Sequence, residues 1–304
     1  MRIHGIGSCL PAAFAALSLC AAVPAFAETT KCTAITAVPY TITAPGIYCV
    51  TAKITTNLAS GAAIAINANN VVLDLNNFAI GNLAALPTTG AKGVEAIDRQ
   101  NIVVRNGILR GFWSAIALHD GTLGTSSGHV VTGITSDHSY RWGIWVDGPY
   151  ANVSGNTVLS TLGSTLLNSG AQGPAIAGAI IVEGSNAVIA NNIILETDCT
   201  NVCGATAGAS AIGILLQPST TPITNSVITG NQIVNSALPS AASNYAVLLS
   251  SSTKGFISNN YIANFSNGVY IDPTTSSTGD YYGNGFQGVT TTATGGTALG
   301  TSNY

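Results

Sequence analysis

The chain is expected to fold as an all-β parallel solenoid, and three features of its sequence lead there. A short phrase recurs, the apolar residues within each copy alternate, and turn-forming residues follow within a few positions. The phrase is a small residue, Ile or Val, any residue and an aliphatic residue, then a polar residue. It occurs as Gly93-Val94-Glu95-Ala96, Ala115-Ile116-Ala117-Leu118, Gly143-Ile144-Trp145-Val146, Ala179-Ile180-Ile181-Val182, Gly213-Ile214-Leu215-Leu216, Ala246-Val247-Leu248-Leu249 and Gly268-Val269-Tyr270-Ile271. Measured at the Ile or Val, the steps are 22, 28, 36, 34, 33 and 22 residues. Period-2 alternation with frequent turns means short strands. A shared minimal step means that each circuit of chain closes on itself and buries its apolar face only against its neighbours.

Taken in order, the chain opens with a leader over residues 1–27. Arg2 precedes an apolar run from Leu10 to Val23, and Ala25-Phe26-Ala27 supplies the small residues of a cleavage site. The mature protein is therefore expected to be secreted or periplasmic. No later apolar run is long enough to cross a bilayer, so membrane insertion is not expected. The four remaining cysteines suit an oxidising compartment, and the expected bridges are Cys32 with Cys49 and Cys199 with Cys203. A four-thiolate metal site is disfavoured by the distance between the pairs and the lack of a Cys-x-x-Cys spacing.

Residues 28–60 form a cap segment, residues 61–287 the coils, about eight in number, and residues 288–304 a Thr/Gly-rich tail. A second phrase, ending in Asn and aliphatic residues, follows the first. Examples are Asn191-Asn192-Ile193, Asn231-Gln232-Ile233 and Asn259-Asn260-Tyr261-Ile262. Asn77 and Asn156 fit the same column, and Gly107 takes the place of Asn in another coil. Asparagines recurring at one bend are expected to bond from coil to coil and satisfy turn backbone. Steps longer than 22 residues are loops thrown out from a constant coil, because the excess falls in Gly/Ser/Thr/Ala-rich pieces such as 120–128, 161–177, 198–210 and 236–244.

Here the residues resemble a known family, the right-handed parallel β-helix proteins of the pectin-lyase-like superfamily. Thr41-Ile42-Thr43-Ala44-Pro45-Gly46-Ile47-Tyr48 between Cys32 and Cys49 is similar to the entry segment of exported members. Asn70-Val71-Val72-Leu73-Asp74-Leu75-Asn76-Asn77 and Val104-Arg105-Asn106-Gly107-Ile108 are similar to first coils. The resemblance covers about residues 32–286 and implies the fold and its hand. It does not imply one activity, since the fold hosts lyases, hydrolases, epimerases and non-catalytic surface proteins. The calcium-binding acidic cluster of the pectate lyases is not evident. Neither is the Asn-Thr-Asp, Asp-Asp, Gly-His-Gly and Arg-Ile-Lys set of the polygalacturonases, of which Gly128-His129 is too short a piece. No cofactor and no metal ligand set is expected. Calcium is the one ion the resemblance leaves open.

With 7% charged residues and a net charge of −3, the chain offers no basic face for nucleic acid. All three tryptophans, and every histidine after the leader, lie between Trp113 and Trp145. In the phrase Gly143-Ile144-Trp145-Val146-Asp147, Ile144 and Val146 point inward, which turns Trp145 and Asp147 outward to solvent. Two outward columns follow. The first is Glu95, Ala117, Trp145, Ile181, Leu215, Leu248 and Tyr270; the second is His119, Asp147, Glu183, Gln217, Ser250 and Asp272.

The second column sets Asp147 and Glu183 about 5 Å apart on adjacent rungs beside His119. Like charges that close raise one carboxyl pKa, which makes the two a candidate acid/base pair. His119 or His138 is the candidate proton shuttle, and Arg141 a carboxylate contact. Trp142, Trp145 and Tyr140 are candidate platforms for sugar rings. The competing reading of the carboxylates is a solvated ladder at strand ends. Phe112-Trp113 is expected to plug a coil corner, and His129 to sit in a loop.

Two functions stay open. One is an exported protein that binds a polysaccharide or cell-surface glycan in a groove on the outer face of one sheet and also cleaves or modifies it as a lyase, hydrolase or epimerase. The alternative is a non-catalytic structural or adhesive cell-surface protein.

Overall fold

The computed structural model describes residues 31–299 apart from 122, 123, 201, 203–207, 219–221 and 252. The leader and Cys203 lie outside the described residues. The protein is a parallel β-helix. Its first sheet runs through Tyr40–Ile42, Ala62–Ile66, Lys92–Ile97, Ser114–His119, Trp142–Asp147, Gln172–Glu183, Ser210–Leu216, Ser243–Leu249, Asn267–Ile271 and Thr291–Thr294. Eight of these ten strands fall within residues 61–287; Tyr40–Ile42 and Thr291–Thr294 carry the stack one rung further at each end. The second sheet folds around the other side of each coil in two parallel columns. Ile102–Arg110 and Val130–Asp137 are long enough to run through both. Cys32 and Cys49 are bridged, and Cys199 is buried and disulfide-bonded. Among the described residues no helix is long and apolar enough to cross a membrane.

The alternation sets the core. Ile64, Val94, Ile116, Ile144, Ile180, Ile214, Val247 and Val269 stack in register and are fully buried. Two residues on, Ile66, Ala96, Leu118, Val146, Val182, Leu216, Leu249 and Ile271 form a second inward column. Each buried Val, Ile or Leu contributes roughly 1.5–3 kcal/mol by leaving water.

The small residue that opens each phrase has a more specific cause than size. It alternates strictly along the stack: Gly93, Ala115, Gly143, Ala179, Gly213, Ala246, Gly268. A Cβ on Gly93, Gly143 or Gly213 would fall 2.5 Å from the carbonyl oxygen of the next alanine, closer than real Cβ contacts come. Each glycine thus admits the carbonyl of the rung above.

The asparagine column is a continuous buried ladder. Asn156 Nδ2 donates to Asn192 Oδ1 at 3.0 Å, Asn192 to Asn231 at 2.9 Å, Asn231 to Asn260 at 2.9 Å and Asn260 to Asn284 at 3.0 Å. Each acceptor oxygen also receives the backbone N–H of the preceding asparagine. Ile134 N donates to Asn156 Oδ1 and closes the lower end. Asn77 is not in this column. Ala79 pairs with Ile108, so Phe78 lies opposite Gly107, and Asn77 instead takes a left-handed bend at φ 62°. The neighbouring Asn191 and Asn259, both at φ 55°, fill the same bend role beside Asn192 and Asn260, which asparagine tolerates better than most residues.

Candidate functional site

The outward columns of the first sheet have the expected register. Trp145 pairs with Ala117 and Ile181, and Asp147 with Glu183. Their surroundings differ from those of a bare sheet face. Trp113, Trp142, Ile181, Ile212 and Leu215 form a second apolar cluster outside the coils, with Trp145, Leu166 and Ile176 packed against it. Its cover is a hairpin: Ser164–Leu166 returns antiparallel to the start of Gln172–Glu183. The Trp113 indole N–H donates to Leu166 O at 2.8 Å, which pins the hairpin to the sheet. Trp113 therefore serves this outer cluster, and its neighbour Phe112 alone fills the core.

A hollow of about 180 Å³ opens beside the hairpin tip. Trp113, Trp142, Trp145 and Ile181 give it apolar walls, and Arg141, Glu183, Gln217 and Asn168 give it polar groups. Leu167 and Asn168 of the tip, with Trp113, also line a second hollow of about 200 Å³ that contains Lys92.

Asp147 is buried, not solvent-facing. The segment after His119 folds over it: Asp120 N donates to Asp147 Oδ2 at 2.9 Å, and the Trp145 indole donates to Oδ1 at 2.6 Å. Ser126 O lies against Gly148, where a Cβ would come within 2.0 Å of it, so glycine is needed under the fold-over. Burial, then the charge of Glu183, push the Asp147 carboxyl up to about 8 against the pull of those two donors. Glu183 is half-buried and lines the hollow. Burial raises it too, opposed by the 2.8 Å bond from Gln217 Nε2. Both carboxyls are therefore biased toward their protonated forms.

His119 makes no hydrogen bond to this pair, though it pulls the Glu183 carboxyl down electrostatically. Its ring is buried, stacks on Trp145 at 4.5 Å and meets Glu95 through Nε2 at 3.3 Å. Burial pushes the Glu95 carboxyl up, but the His119 bond and Lys92, 3.2 Å away, outweigh it and hold the carboxyl below its ordinary value. The chain Lys92, Glu95, His119 thus fixes the plane of Trp145. No hydrogen bond joins His119 to Asp147 or Glu183; its contacts are with Trp145, Glu95 and the Asp120 carbonyl.

His138 is not brought to the hollow. Its Nδ1 holds Asp137 at 2.5 Å, and Asp137 pairs with Arg110 at 2.7 Å on the second sheet. Tyr140 is buried behind the strand, with no part in the lining. Trp142 is 7% exposed and so presents only an edge. A Cβ on Gly178 would fall 2.1 Å from its ring, which shows that the indole lies across the next rung. Arg141 Nη1 donates to Ser164 O at 2.8 Å and its guanidinium lies 5.5 Å from the Trp142 ring. Burial lowers it to about 10, so it stays charged and holds the hairpin base. His129 lies in the loop that leads into Val130–Asp137 but is buried there: its Nδ1 accepts from Ile102 N at 3.3 Å, and burial pulls it down to about 4. Among the described residues no group of three or more His, Cys, Asp or Glu is placed to hold a metal ion.

One consequence is a pH signature. Because Asp147 and Glu183 titrate higher folded than unfolded, their stabilising contribution is complete below about pH 4 and is lost as pH rises through about 8. Above the range in which neutral, buried His129 gains stability with pH, wild-type Tm is expected to fall between pH 6.5 and 8.5, and Asp147→Asn to flatten that fall, as thermal melts in matched buffers will read. A Tm that rises over this range in wild type contradicts the assignment.

Solved structures to which the chain is similar include the GH136 lacto-N-biosidase from Eubacterium ramulus, at 10% identity and a TM-score of 0.40 over 86% of this chain and 59% of that one. A mutant tailspike protein of E. coli bacteriophage HK620, in complex with a pentasaccharide, is 12% identical at a TM-score of 0.37, covering 85% and 60%. The catalytic domain of a GH87 alpha-1,3-glucanase in complex with nigerose is 11% identical at 0.30, covering 86% and 63%. The chain spans about three-fifths of the length of these proteins. No family model and no curated protein matches the chain.

Proposed function

We propose that this is an exported glycan-binding protein that hydrolyses a glycosidic bond in the tryptophan-lined hollow of the first sheet. The observation that carries the reading is the carboxyl pair Asp147 and Glu183, placed on adjacent rungs, half to fully buried, and raised in pKa beside that hollow. A carboxyl that keeps its proton near neutral pH is what protonation of a glycosidic oxygen requires. Glu183 lines the hollow and is the group that meets the substrate: its proton goes to the leaving glycosidic oxygen as that C–O bond breaks, water adds at the anomeric carbon, and the Glu183 carboxylate takes back the proton that the water gives up. Asp147 sits behind it and is protonated below about pH 8, and burial is what raises the Glu183 carboxyl itself. Trp145 offers its face and Gln217 and Asn168 their amides to ring hydroxyls.

Hydrolysis is favoured over β-elimination because elimination needs a cation on the uronate carboxylate, and Arg141, the cation that lines the hollow, is committed to the hairpin carbonyls. A volume of about 180 Å³ lies below the roughly 300–1,000 Å³ of ordinary ligand pockets, so it suits a chain end or a side branch. The Cys32–Cys49 bridge supports action outside the cytoplasm.

The test is incubation of the purified protein with a panel of neutral and acidic polysaccharides, following reducing ends and unsaturated-uronate absorbance together. New reducing ends without absorbance are expected. Absorbance would make the protein a lyase, and glycan binding with neither signal would make it a non-catalytic surface protein.

A further inference from the structure

A larger hollow lies elsewhere. It measures about 600 Å³ and lies on the second sheet near the C-terminal end of the stack. Its origin is a gap in the inward pattern. Ser226, Gly255 and Gly279 occupy one inward column on three successive rungs. A Cβ on Gly255 would come within 3.1 Å of Leu249 Cδ2, and one on Gly279 within 3.0 Å of Ile271 Cδ1. With glycine on two of these three rungs, the strands lie close against the core side chains Leu249 and Ile271.

The walls of this trough are the flanking outward columns. Phe256 pairs with Asp280, and Asp280 with Thr297; Lys254 pairs with Thr278 on the other side. The Phe256 ring is braced by Tyr282, centroid to centroid 5.3 Å. Lys254 and Asp280 are exposed, and each lines the trough. An aromatic face, a carboxylate, an ammonium and several hydroxyls within one hollow match the two sides of a pyranose: apolar C–H on one face, hydroxyl donors and acceptors around the rim. The opposite charges of Lys254 and Asp280 offset each other, which selects against a uniformly acidic chain. A hollow more than three times the size of that on the first sheet has room for several sugar units.

We infer that this trough is a second, non-catalytic binding site for a neutral oligosaccharide, on a different face of the coil from Glu183. It would hold a polysaccharide while its end or branch is worked on elsewhere, raising the local concentration at the first site.

The probes are laminarin and mannan as neutral glycans and pectate as the acidic one, with the full chain retained on each by affinity electrophoresis. Retention by a neutral glycan is expected to weaken at least tenfold in Asp280→Asn combined with Lys254→Ala, and similarly in Phe256→Ala. Glu183→Gln should be retained as wild type, which separates this site from the reaction site. The exposed double variant guards against a loss of folding in Phe256→Ala. No retention on either neutral glycan, retention on pectate alone, or retention untouched by these substitutions would overturn the inference. Turnover of a short oligosaccharide is expected to be unchanged in the double variant.

Discussion

Alanine at Asn192 is expected to destabilise the protein by about 3–5 kcal/mol, measured by urea unfolding. Asn192 is completely buried, and its amide makes four bonds. Its oxygen accepts from Asn156 N and Asn156 Nδ2, each at 3.0 Å. Its nitrogen donates to Val153 O and Asn231 Oδ1, each at 2.9 Å. Truncation leaves at least two buried backbone groups short of a partner, at about 1–3 kcal/mol each, and adds a cavity that the rungs above and below cannot close. The stack has no way to reroute those bonds, because the neighbouring coils are held by their own ladder members. Asn192→Asp should be as damaging, since it removes the donors and buries a charge. A loss below about 1 kcal/mol would mean that the ladder is incidental to coil stacking.

Glu183→Gln is expected to reduce glycosidic turnover by about 10²- to 10⁴-fold, the usual contribution of a positioned acid or base. Folding should be little affected. Glutamine is isosteric, and its Oε1 still accepts the Gln217 N–H that holds Glu183 now. Substrate binding should persist, so the split between kcat and KM is diagnostic. Asp147→Asn should act differently. It leaves the charge beside Glu183 unchanged near neutral pH, because Asp147 is protonated there, and it alters turnover only on the alkaline limb of the pH profile, where Asp147 would ionise. Equal and small effects from both substitutions would return the pair to a structural role.

How much of this was legible depends on which interactions are local in the coil. The inward columns, the pairing of Asp147 with Glu183 and the ladder from Asn156 to Asn260 follow from alternation and from a repeated turn, and both are written in short windows of sequence. Asn77 was misplaced by one residue because a left-handed bend and a ladder rung both favour asparagine; the Asn191-Asn192 doublet was the available clue. The strict Gly/Ala alternation from Gly93 to Gly268 was also visible, and its reason, a carbonyl 2.5 Å away, is not.

What the repeat does not encode is what covers the outer face. The hairpin ending in Leu166 and the segment from Asp120 to Ser126 lie in Gly/Ser/Thr-rich insertions without periodicity. They bury Trp142, Arg141 and Asp147 through contacts specified only in three dimensions. His138 looked like a member of the site because it is near in sequence. A left-handed turn at φ 52° and its bond to Asp137 place it on another face. The trough at Phe256 carries no titratable cluster to mark it, and its cause is the side chains that Gly255 and Gly279 lack.

The claim on which the site depends is that two circuits of the chain set Asp147 against Glu183 out of water. Carbon-13 NMR titration of the side-chain carboxyls reads this directly, and with Asp and Glu together numbering 12 the spectrum is sparse. One carboxyl is expected to titrate at about 8, to disappear in Asp147→Asn, and to move down in Glu183→Gln as its charged neighbour is removed. A spectrum in which every carboxyl titrates below about pH 5, near the ordinary values of exposed Asp and Glu, would contradict the account.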